Sequence, residues 1–150
     1  MSRQLVVGLG NALAGDDGFG PAVVRLLQEG GVSEDVDLVP SCTDLLGQID
    51  LFERYAAVVL VDAVLGGGRS PGEVAYVEEA TLLDWDARST SAHRLSPVEA
   101  LRVFRALAPE ARTQVTLVAL HTDSVASECV HALPARVLEG ARLVRSALSA

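Results

Sequence analysis

The chain has 150 residues, 49% of them apolar and 4% aromatic, and its 20 acidic against 12 basic side chains leave a formal charge of −8. This is the length of one domain, 1–150, with an aliphatic core and too much apolar content to stay disordered; the acidic balance, with no Lys at all, excludes a nucleic-acid-binding face and attraction to an anionic membrane. Cys42 and Cys129 are too isolated for a disulfide framework or a zinc knuckle, the start lacks a signal-peptide pattern, and no apolar run reaches the roughly 18 residues of a membrane span, so the cytoplasm and a monomer are the expectation.

Leu5-Val6-Val7-Gly8 reads as a buried strand, followed by a polar, Gly-rich loop from Leu9 to Gly18. Phe19, Val23, Leu26 and Leu27 then recur at helical spacing, with Pro21 in the first turn and Gly30-Gly31 as the stop. Val36 to Val39 predicts a second strand, ended by Pro40, and Asp44 to Tyr55 a second helix with Leu45, Ile49 and Phe52 on one face. Ala56 to Val61 is continuously apolar, as in a central parallel strand covered on both faces, and ends at Asp62. Gly66 to Gly72 is a loop, and the alternation from Glu73 to Val77 predicts an edge strand.

Ser96-Pro97-Val98-Glu99 is a capping box that opens a helix running to about Leu107. Thr113 to Leu120 predicts a strand, and Pro134 to Leu148 a closing helix with Val137, Leu138, Ala141, Val144 and Leu148 facing inward. Strands alternating with helices mean an α/β three-layer sandwich, a mostly parallel twisted sheet of about five strands with helices on both faces.

Ligands in such sheets bind beyond the carboxyl ends of the strands, which ranks the polar residues. Asp62 closes a run so apolar that its carboxylate is part-buried and needs a partner or a metal, unless it merely caps the next turn. Of Asp16 and Asp17, both after the first strand, Asp16 suits the helix N-cap and Asp17 is left to face a ligand. His93 lies in a polar loop, where a plain surface histidine is the alternative. His121, after a strand end, and His131, in the last loop, are weaker candidates. Cys42 is most simply a small buried residue, since nothing supplies a base for it. Two carboxylates and an imidazole suit a borderline divalent metal such as nickel or zinc, and three ligands leave positions open for a substrate.

Other constellations fit less well. Gly8-Leu9-Gly10-Asn11-Ala12-Leu13 has Leu where a dinucleotide fingerprint needs its third glycine, and neither a phosphate-binding G-x-x-x-x-G-K-[ST] loop nor a G-x-S-x-G elbow is present.

The stretch Leu5-Val6-Val7-Gly8-Leu9-Gly10-Asn11-Ala12-Leu13-Ala14-Gly15-Asp16-Asp17-Gly18-Phe19-Gly20 resembles the opening of the hydrogenase maturation proteases, endopeptidases that trim the large subunit of nickel–iron hydrogenases. Val59-Leu60-Val61-Asp62-Ala63 is similar to their second signature, and Ser91-Ala92-His93-Arg94-Leu95-Ser96 to their third; the three occur in the same order. The resemblance implies a twisted sheet between helices and an aspartyl-type endopeptidase that removes the C-terminal extension of the large-subunit precursor after nickel insertion. It implies that Asp17, Asp62 and His93 contact nickel, which the substrate supplies, so that the free protein is metal-poor. Asp16 or Asp17 then serves as general base if the metal is only a docking handle.

Pro40-Ser41-Cys42-Thr43-Asp44 stands where family members often carry a Gly-Gly-Thr-type segment, and Thr122 to Glu128 departs from the common late loop. Both bear on which hydrogenase is processed. Two rival readings are a non-enzymatic nickel-binding chaperone or sensor for the same subunit, and a nucleotide-binding α/β module.

Overall fold

The structure, a computed structural model, describes residues 2–10, 18–42, 44–89, 95–123 and 133–149. In chain order the elements are β1 (Gln4–Leu9), α1 (Phe19–Gly30), β2 (Val36–Cys42), a 3₁₀ helix (Leu46–Arg54), β3 (Ala57–Gly66), β4 (Val74–Val77), α2 (Glu79–Leu83), β5 (Ala87–Ser89), α3 (Pro97–Leu107), β6 (Gln114–Thr122) and α4 (Leu133–Ser149). They form one six-stranded sheet, ordered β2-β1-β3-β6-β4, with β5 pairing β3 off this path. The β2–β1, β1–β3 and β3–β6 pairings are parallel; β4–β6 and β3–β5 are antiparallel.

Alternation along the central strands builds two cores, one on each face. Val58, Leu60 and Val64 of β3 face Ile49 and Phe52 of the 3₁₀ helix, Leu82 of α2 and Val98, Leu101 and Phe104 of α3. Val59, Val61 and Ala63 face Phe19, Val23 and Leu27 of α1 and Ala141 and Val144 of α4. The expected three-layer sandwich with helices on both faces is thus realised, and β4 is the edge strand its alternation predicts.

Asp62 does not end its strand: β3 continues through Ala63-Val64-Leu65 to Gly66, because β6 runs alongside as far as Leu65↔Thr122. For the same reason His121 lies inside β6 and not after it. Pro40 does not end β2, which occupies an edge where a missing N–H is tolerated. The segment after Asp44 winds as a 3₁₀ helix: the Asp44 carboxylate accepts from Gly47 N at 3.2 Å, and tight i→i+3 bonds follow, such as Tyr55 N to Phe52 O at 3.0 Å. Leu138 is 63% exposed and does not face inward. The N-cap of α1 is Gly18, not Asp16, and its first turn holds no acidic residue. The elements α2 and β5 were not expected at all. The capping box at Ser96 is formed as read, with Glu99 N donating to Ser96 Oγ at 3.1 Å and Ser96 N to Glu99 Oε1 at 3.2 Å.

Candidate active site

Asp62 is completely buried. It sits on the sheet face shared with Leu60 and Val64, level with Ala119 of β6. Its place along the edge of β3 is distinctive. β1 pairs with β3 up to Gly8↔Val61, one residue short of Asp62. On that same edge β5 takes over at Val64↔Ser89 and runs antiparallel to Gly66↔Ala87. Among the described residues, Asp62 and Ala63 therefore fall in a gap between two strands that approach from opposite directions. The gap lies beyond the carboxyl end of β1, between β1 and β3, where the chain switches direction in the order β2-β1-β3-β6, and open α/β sheets hold their ligands in the crevice at such a switch point.

Asp16, Asp17, His93 and His131 lie outside the described residues, as does Cys129. The described residues that flank three of them border the gap. Leu9 ends β1 beside it, with Gly10 next in the chain, and Ser89 ends β5 at the level of Val64. Gly18 caps α1, whose first turn is pressed onto the strand ends: a Cβ at Gly20 would lie 2.4 Å from the carbonyl oxygens of Leu9 and Val61. Gly8 is equally crowded, its virtual Cβ 2.7 Å from the carbonyl oxygens of Gly20 and Pro40. Only glycine permits this backbone-on-backbone approach. Gly8 and Gly20 thus help build the site, a role that sequence reading had not given them, because a glycine in an apolar strand or a first helical turn carries no spacing signal.

His121 shares the face of Asp62 but belongs to a neighbouring cluster. Its ring is buried, and Nδ1 lies 3.2 Å from the Glu73 carbonyl oxygen. A carbonyl only accepts, so Nδ1 carries the proton, leaving a lone pair on Nε2, which has no hydrogen-bond partner among the described residues. The ring meets Trp85 edge-on at 5.4 Å, and Trp85 Nε1 donates to Gly67 O at 3.1 Å. Burial lowers the imidazole pKa, the nearby Arg69 adds to this, and the Glu73 carbonyl and carboxylate oppose it. Arg69 in turn pairs with Glu73 at 2.9 Å and holds that carboxyl below its ordinary range. The cluster secures the Gly66–Gly72 turn and the start of β5. Cys42, at the end of β2 in register with Leu9, is buried and forms no disulfide.

Among the described residues no three His, Cys, Asp or Glu side chains gather as a metal site. Asp62 alone of the expected nickel-contacting residues is among the described ones. No helix among the described residues is long and apolar enough to cross a membrane.

The sequence model of the hydrogenase maturation protease family, HycI, matches residues 21–136. No curated protein sequence matches the chain. Among solved structures, the chain is similar to the hydrogenase maturating endopeptidase HybD of E. coli, with a TM-score of 0.77 at 20% identity over 98% of this chain and 92% of that one. It is similar to the [NiFe] hydrogenase maturation protease HybD of Thermococcus kodakarensis, with a TM-score of 0.73 at 24% identity over 96% and 97% of the two chains. A hydrogenase 2 maturation peptidase from a Thaumarchaeota archaeon gives a TM-score of 0.67 at 27% identity over 97% of each chain.

Proposed function

The chain belongs to the hydrogenase maturation protease family, and on that premise we propose that it removes the C-terminal extension of a nickel–iron hydrogenase large-subunit precursor once nickel has been inserted. The observation that carries this reading is the placement of Asp62, fully buried in the gap between the end of β1 and the end of β5.

In this reading Asp17, from the segment that leaves β1, and His93, from the segment that leaves β5, meet Asp62 at the gap. Together they engage the nickel carried by the precursor, which is therefore part of the substrate. Capture of that ion fixes the adjoining peptide bond, and positioning of this kind lowers a barrier by several kcal/mol, about 7–11 in favourable cases. Asp16 or Asp17 accepts a proton from the attacking water, and the proton is delivered to the departing amine. The free protein is metal-poor, and the reaction takes place in the cytoplasm with a monomeric enzyme.

The test is incubation with nickel-loaded and nickel-free precursor, followed by mass spectrometry. The intact chain trims only the loaded form, and His93→Ala slows trimming by about a hundredfold or more. Trimming of the loaded precursor by His93→Ala at the normal rate would sink the assignment. Binding without any cut would favour a chaperone or sensor.

A further inference from the structure

A second feature of the gap concerns the peptide and not the metal. Pairing of β5 with β3 follows Val64↔Ser89, Leu65↔Arg88 and Gly66↔Ala87, and Gly67 N donates to Asp86 O at 3.1 Å in the same register. In an antiparallel ladder, residues that exchange hydrogen bonds alternate with residues that do not. Since Gly67 and Asp86 are a bonded pair, Leu65 and Arg88 are the next one. The N–H and C=O groups of Ala87 and Ser89 therefore point away from β3. Among the described residues no strand lies on that outer side of β5, and neither Ala87 nor Ser89 bonds another backbone there. An edge with aligned, outward donors and acceptors is a template for an added strand.

We propose that β5 binds the precursor's C-terminal extension as an added β-strand, a proposal that rests on the function inferred above. The direction of the chains supports this occupant. β5 runs toward Asp62, from the level of Gly66 to the level of Val64. The nickel-bearing body of the substrate precedes the extension in sequence. With the body held at Asp62, the extension runs outward along β5, and so pairs with it antiparallel. Ser89 lies about 7 Å beyond Asp62 along the strand direction, and the added strand lies two strand spacings of about 4.8 Å to the side, so roughly 12 Å, three to four extended residues, separate the part of the substrate held at Asp62 from the first pair. Peptidases need their substrate extended, and this edge supplies main-chain contacts that accept varied side chains.

The test uses the full-length chain with the nickel-loaded precursor and, as a probe, a synthetic peptide of the released extension. Ala87→Pro and Ser89→Pro each delete one outward N–H while leaving the bonds to β3 in place. Each raises KM about fivefold to tenfold and leaves kcat within about twofold, the signature of lost ground-state binding. In the unaltered chain, saturating peptide slows amide exchange at Ala87 and Ser89, while Arg88, already bonded to Leu65, changes less. Exchange does not depend on how well the proline variants fold. Normal trimming with unchanged exchange at both amides overturns this proposal and leaves the proposed function standing. Failure of the unaltered chain to trim loaded precursor overturns both.

Discussion

At the scale of single residues, the site turns on how two buried polar groups are kept. Asp62 is completely buried where its partner across the sheet on β6, Ala119, is apolar. Asp62→Asn keeps the shape and hydrogen-bonding reach and removes the charge. It should leave a folded protein by near-UV circular dichroism while trimming of loaded precursor falls about a hundredfold or more. His121 is held neutral by burial, so its pKa is lowered in the folded state. The unfolded chain binds a proton near pH 6.5 that the folded chain refuses, so the unfolded state holds more protons below that pH. Stability is therefore full above about pH 6.5 and declines as pH falls from there toward the lowered folded value. Glu73 and Asp37, whose pKa values are also lowered, add a loss only further into acid, in the carboxylate range. Urea unfolding between about pH 5 and 7.5 should show this decline in the native protein. In His121→Gln the decline should flatten. An unchanged slope would mean that another group titrates there.

At the scale of elements, the site depends on how α1 docks. The first turn rests on main-chain oxygens, which cannot rotate away, so Gly20→Ala forces the helix off Leu9 and Val61. Overpacking of this sort costs about 1–3 kcal/mol and occasionally more. Gly140→Ala presses on the other side of the same helix, but against the Phe19 ring at 2.8 Å and a Val23 methyl at 2.9 Å, which can yield. Denaturant melts matched with trimming assays should therefore show Gly20→Ala losing far more activity than Gly140→Ala for a comparable loss of stability. How much of this was legible in the sequence follows from the same physics. Strands with continuous apolar runs and the helix opened by Ser96-Pro97-Val98-Glu99 announce themselves, because burial and capping act on neighbouring residues. The burial of Asp62 was legible, as an acid closing an apolar run. Its position inside β3 was not, because only the partner strand β6 decides how far β3 extends. β5 was illegible for a similar reason. Ala87-Arg88-Ser89 has no strand signature and is a strand because β3 offers an edge where β1 stops. The 3₁₀ winding after Asp44 and the exposure of Leu138 likewise depend on local bonds and neighbours that periodicity does not report.

At the scale of the whole molecule, one sheet serves two cores, and the gap at Asp62 exists only while both hold. α1 reaches the strand ends from one face, while the 3₁₀ helix, α2 and α3 pack on the other. Because β1, β3 and β6 contribute alternate residues to each core, neither layer can melt and leave the other with an intact floor. The single tryptophan, Trp85, packs against the α3 side, so it reports on one core only. Leu27 of α1 is fully buried in the opposite core. Leu27→Ala removes about 2–5 kcal/mol of stability through lost transfer energy and the cavity left behind. If the two cores are coupled through the sheet, Trp85 fluorescence and far-ultraviolet circular dichroism should move together to the same lower midpoint, although the substitution lies across the sheet from the tryptophan. A Trp85 transition that stayed in place while the helical signal shifted would show two independently melting layers. The first turn of α1 could then loosen from Leu9 and Val61 without disturbing β5, and the gap would not be one rigid site.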